Sequence, residues 1–87
     1  MITRIRIPSK WYQPASRKDY GGERFETAIF NLGVGPCGKE VIELDIDFQH
    51  AVSGVLVTQV CSDTEAKSFF YPYHTVTGRI EITKNNS

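Results

Sequence analysis

The clearest pattern in the chain has a period of two. In "EVIELDIDF" Ile42, Leu44, Ile46 and Phe48 alternate with Glu43, Asp45 and Asp47, which predicts a half-buried antiparallel strand with the four apolar residues inward. "ITRIRI" alternates in the same way, Ile5 and Ile7 against Arg4 and Arg6, and Pro8 predicts its end because proline cannot donate to a ladder. "TAIFNLGV" sets Phe30, Leu32 and Val34 on one side, and the turn-rich "GVGPCG" after it predicts a hairpin with the "EVIELDIDF" strand. "SGVLVTQV" is apolar on both faces, as expected of a central strand. "KSFFYPYHTV" follows with a break at Pro72, and Arg79 to Thr83 reads as the closing strand with Ile80 and Ile82 inward. Helical periodicity is confined to a turn or so at "DFQHAV" and "SDTEAK".

This pattern predicts an all-β fold, a small five- to six-stranded antiparallel open barrel or sandwich of OB- or SH3-like type, with one long loop over 8–26 after the first strand. A chain of 87 residues buries about 60 to 65% of its unfolded surface, enough for one core, so residues 1–84 read as a single domain and 85–87 as a frayed polar tail. Apolar residues at 40% and charged residues at 23% belong to a folded chain rather than a disordered one. No apolar run approaches the roughly 18 residues of a membrane helix, and the N-terminus lacks an apolar leader, so the expectation is a soluble cytoplasmic protein without membrane contact. Cys37 and Cys61 then read as free thiols rather than a disulfide.

Charge is balanced overall, ten basic residues against ten acidic, but not locally. Arg4, Arg6, Lys10, Arg17, Lys18 and Arg24 outnumber Asp19 and Glu23 in the first 24 residues, leaving the rest of the chain net acidic. Pairing of Arg4 and Arg6 across strands with Glu43, Asp45 and Asp47 would absorb part of that excess and make the three carboxylates a solvated face rather than a cation site. His50, His74, Cys37 and Cys61 include no close ligand pair of the kind structural zinc sites show, and no metal or cofactor is expected. Cys37 with His74 is the best nucleophile and base on offer, yet no elbow motif surrounds either, and "GVGPCGKE" has the wrong spacing for a phosphate loop. The chain therefore reads as a non-enzyme.

What remains is "KWYQPASRKDYGGERF", where four cations and four aromatics share sixteen positions. Trp, Tyr and Arg are the usual anchors of protein interfaces. Lys10, Trp11, Tyr12, Arg17, Lys18, Tyr20 and Arg24, with Tyr71 and Tyr73 near the other end, are accordingly expected to bind a partner. The leading expectation is a non-enzymatic protein-binding module, docking on a larger protein or on a second copy, of which a small accessory inhibitor or immunity-type protein is one form. The rival is an OB-like single-stranded nucleic-acid binder that stacks bases on the same aromatics beside the same cations.

Overall fold

In the computed structural model, which describes residues 1–34 and 39–85, the chain is all-β and forms two antiparallel sheets. The strands are β1 (Ile2–Gln13), β2 (Gly22–Asn31), the two-residue β3 (Gly33–Val34), β4 (Glu40–Gln49), β5 (Gly54–Cys61), β6 (Ala66–Pro72) and β7 (Glu81–Lys84). The first sheet runs β2-β1-β7 and the second β3-β4-β5-β6. They lie face to face without closing into a barrel. Ile5, Ile7 and Phe30 from the first sheet meet Val41, Leu44, Val55, Val57 and Cys61 from the second in one buried cluster. Cys61 is a free thiol inside that core, while Cys37 lies outside the described residues. No described helix is long and apolar enough to cross a membrane.

Pro8 does not end β1. Its carbonyl accepts from the Thr77 amide at 3.0 Å, so the side of Pro8 that would carry the missing N–H faces away from β2 and costs that ladder nothing. The β1–β2 register therefore runs unbroken from Arg4↔Asn31 to Gln13↔Gly22. The expected loop over 8–26 is instead a long hairpin, with only 14–21 outside strands. The predicted pairing of "TAIFNLGV" with "EVIELDIDF" is likewise corrected. β2 belongs to the other sheet, and only Gly33 and Val34 reach β4, after Gly33 takes a positive φ of 106° and turns the chain between sheets.

β4 is half-buried as expected, but a bulge separates Val41↔Cys61 from Glu43↔Val60. Val41 thereby joins Leu44 in the core, while Ile42 and, at the far end of the strand, Phe48, both predicted inward, are 48% and 43% exposed. Arg4 and Arg6 do not pair with Glu43, Asp45 and Asp47. β1 lies between β2 and β7, where Arg6 meets Glu81 at 3.7 Å, while the three carboxylates alternate with the inward Leu44 on the other sheet. β5 is the internal strand its composition predicts, and the Phe70 ring of β6 lies on Gly54, where a Cβ would fall 2.1 Å from it. β7 starts at Glu81 rather than Arg79. Beyond it, Asn85 accepts from the Met1 amine at 3.0 Å and donates to the Met1 carbonyl at 2.8 Å.

A compact monomer of 9.8 kDa exposes about 5,200 Å² and has a radius of gyration near 12 Å for its length. This one exposes 6250 Å² with a radius of 15.0 Å. The excess follows from the hairpin. β7 pairs with β1 only as far as Arg6, and the Ser9↔Val76 bridge is the last backbone pairing on that side, so 10–25 projects as a two-stranded arm.

Candidate docking site on the β1–β2 arm

Alternation along β1 decides which way each arm residue faces. Ile5, Ile7, Ser9, Trp11 and Gln13 share one face, and their register partners Phe30, Ala28, Glu26 and Arg24 share it with them. Further out, the face that fills the core nearer the chain start is no longer packed shut against the second sheet, and an open cleft separates it from the end of β6. Lys10 and Tyr12 point the opposite way, with Phe25 and Glu23. Trp11 is 49% exposed, Tyr12 69% and Tyr20 98%.

The arm is braced at its tip. Ser16 and Asp19 exchange backbone hydrogen bonds across the turn at 2.8 and 3.3 Å, and Asp19 Oδ1 accepts from the Gly21 amide at 3.2 Å. Arg24 donates through Nη2 to both oxygens of Asp19, at 3.0 and 2.8 Å, and through Nε to Gln13 Oε1 at 2.9 Å. The Arg24 hydrogen bond and then the Gly21 amide hold the Asp19 carboxyl below its usual value. A carboxyl depressed by folding contributes stability above its unfolded pKa, lost as pH falls through the folded one. The tip is therefore expected to loosen as pH drops below about 4. Faster exchange of the Gly21 amide should report it, and Asp19→Asn should abolish that acid step.

Gly21 has a φ of 76°, and a Cβ there would lie 2.6 Å from the Gln13 carbonyl oxygen and 2.7 Å from the Ala15 nitrogen. Backbone cannot swing aside as a side chain can. Gly21→Ala is expected to cost the arm about 1 to 3 kcal/mol. Amide exchange through the arm should rise by about tenfold to a hundredfold, with core amides unchanged.

Two clefts flank Trp11. The first, of about 260 Å³, opens between the arm's inner face (Ser9, Trp11, Glu26, Ala28) and a wall of Phe70, Tyr71, Pro72 and Thr75. The second, also about 260 Å³, lies among Lys10, Trp11, Tyr12, Glu23, His74 and Thr75. Burial first, and then the neighbouring Glu26 carboxylate, push the Tyr71 hydroxyl above its usual pKa, so a neutral phenol and an acid stand together in the first cleft. The Ser9 hydroxyl there is already committed to the Glu26 carbonyl at 3.2 Å. An indole, a phenol and a carboxylate thus line one open groove, the residue types that anchor protein interfaces elsewhere.

Of the nine residues expected to bind, Lys10, Trp11, Tyr12 and Tyr71 line these clefts. Arg17, Lys18 and Tyr20 sit at the exposed tip, and Arg24 is spent on the brace. Tyr73 lies elsewhere, its hydroxyl 3.0 Å from Nδ1 of His50 in the turn after β4. Lys10 is paired with Glu23 at 3.2 Å. Glu26, Pro72, His74 and Thr75 were not anticipated. Alternation places Glu26 on Trp11's face only once the hairpin register is known.

Fold and site together define a small all-β protein that presents a braced aromatic arm. A family model described as the Enterobacteria phage T3 gene 1.05 protein matches residues 1–84, and the chain belongs to that family. It is 41% identical over 63 residues to the gene 1.05 protein of Enterobacteria phage T3, a stretch covering 72% of this chain and 68% of that one. No solved structure matches.

Proposed function

We propose that the protein is a non-enzymatic binding module that docks a larger protein through the arm, with an accessory inhibitor or immunity-type role as the form this takes in the cell. The observation that carries the reading is Trp11, a large aromatic on a paired strand yet half exposed, with an open cleft on each side. An interface needs such an anchor near its centre and tolerates a neutral surface around it. The free thiol in the core suits action in a reducing cytoplasm. The family's phage setting puts host and viral proteins alike within reach.

The nucleic-acid reading is the less favoured because ion pairs occupy Lys10 and Arg24, leaving Arg17 and Lys18 as the arm's cations without an ion pair among the described residues. Single-strand binders need a continuous basic track.

The test places a photo-crosslinking benzophenone amino acid at Tyr12 and expresses the protein in its host. A defined crosslinked protein is expected, lost when Trp11→Ala is added and retained with Arg17→Gln and Lys18→Gln. In parallel, single-stranded DNA and RNA are titrated at low salt while Trp11 fluorescence is followed. Strong quenching that fades steeply with salt would overturn the protein reading, because phosphate contacts release counterions.

A further inference from the structure

The first sheet has one long open edge, and its chemistry is self-complementary. β2 is the outer strand of the order β2-β1-β7. Other edges are blunted: β3 has two residues and β7 four, and β6 carries Lys67 and ends on Pro72, which lacks a donor. β2 runs for ten residues with neither lysine nor proline, and holds the apolar run Ala28, Ile29 and Phe30. Phe25 and Ile29 on its outer face are 70% and 49% exposed.

Which backbone groups face that edge follows from the ladder. The Leu32 amide donates to the Thr3 carbonyl at 3.1 Å, whereas the Pro8 carbonyl turns away to Thr77, so odd-numbered residues of β1 bond β2 and even-numbered ones do not. The register pairs odd with even. Glu23, Phe25, Thr27, Ile29 and Asn31 therefore direct their N–H and C=O outward, where no described residue meets them.

We infer that β2 pairs antiparallel with β2 of a second copy, about a twofold axis at Thr27, joining the two first sheets into one continuous sheet. In this register Thr27 opposes Thr27 of the other copy, Phe25 opposes Ile29, Glu26 opposes Ala28, Arg24 opposes Phe30 and Glu23 opposes Asn31. The five outward-facing residues each meet an outward-facing residue, giving about ten backbone hydrogen bonds. Two Phe–Ile pairs flank the axis, and no two like charges stand opposite. Neighbouring registers are worse. Centring on Glu26 sets two carboxylates against each other, and centring on Ala28 leaves Glu23 and Arg24 unpaired and separates Phe25 from Ile29. The occupant is thus a second copy, because one strand supplies both halves of the match.

Sedimentation equilibrium and light scattering over a concentration series test this directly. The wild type is expected to show a monomer–dimer equilibrium, with the dissociation constant raised about tenfold or more by Ile29→Lys, an edge charge, and by Thr27→Pro, which removes an outward N–H and no bond to β1. Far-UV circular dichroism confirms folding, and Ile29→Lys decides the matter if the proline variant does not fold. Single cysteines fix the register: Thr27→Cys should form a disulfide to itself, mapped by mass spectrometry. Phe25→Cys and Ile29→Cys should crosslink only when mixed, since each alone lies about 14 Å from its own copy. A monomer at every concentration up to about 1 mM, or a dimer unmoved by either variant, overturns the inference. Trp11→Ala leaves this equilibrium unchanged, so the dimer and the docking reading fail separately.

Discussion

Ile5→Ala is expected to cost the domain a large share of its stability. Ile5 is fully buried in β1, paired with Phe30 of β2 on one side and Ile82 of β7 on the other, and belongs to the cluster that includes Val55 and Val57 of the second sheet. Removing its outer carbons costs their transfer energy and leaves a void that flanking strands, held in register, cannot fill, about 2 to 5 kcal/mol in all. Domains of this length are stable by about 4 to 13 kcal/mol. At about 4 to 8 °C per kcal/mol, the Tm should fall by roughly 10 to 40 °C in a thermal melt. Ile42→Ala is the control. Same-sized and on a β-strand, but exposed at the bulge, it should change stability by about 0.5 kcal/mol or less. Equal losses from the two would mean that β4 has no bulge and that its apolar residues face inward together.

That pair of residues also shows where the sequence is legible. Alternation identified β4 and the inward facing of Leu44 and Ile46, because burial of one strand face imposes a period of two whatever lies across from it. It missed Val41 and misplaced Ile42, because a bulge adds a residue without leaving a compositional mark. Pro8 misled for a related reason. Proline forbids a hydrogen bond on one side of a strand only, and which side that is depends on a register set by the partner strand. With β1 cut short at Pro8, the arm looked like a loop, and its aromatics could be listed but not sorted by face. Trp11 and Tyr12, neighbours in sequence, point to opposite faces once 10–13 is known to be strand. The basic excess was read correctly as composition, but its neutralisation by Asp19, Glu23 and Glu81, rather than by the β4 carboxylates, is a property of the pairing.

Trp11→Ala should separate binding from folding. The indole lies beyond the last bridge to the body of the protein and outside the core cluster, so its removal leaves the two-sheet packing intact. Unfolding free energy is expected to change by about 1 kcal/mol or less, since half of the side chain is already in water. Binding responds differently. In the complex the indole is desolvated between two cleft walls, and truncating such an anchor typically costs at least about 2 kcal/mol, a factor of about thirty in Kd. Tyr20→Ala, at the exposed tip and away from both clefts, should lose little. Calorimetric titration of the crosslink-identified partner against these variants, with melts in parallel, measures both quantities on the same samples. A Tm drop in Trp11→Ala as large as that of Ile5→Ala would make Trp11 a structural residue. Equal affinity losses at Trp11 and Tyr20 would move the interface from the clefts to the tip, and with it the residues that recognise the partner.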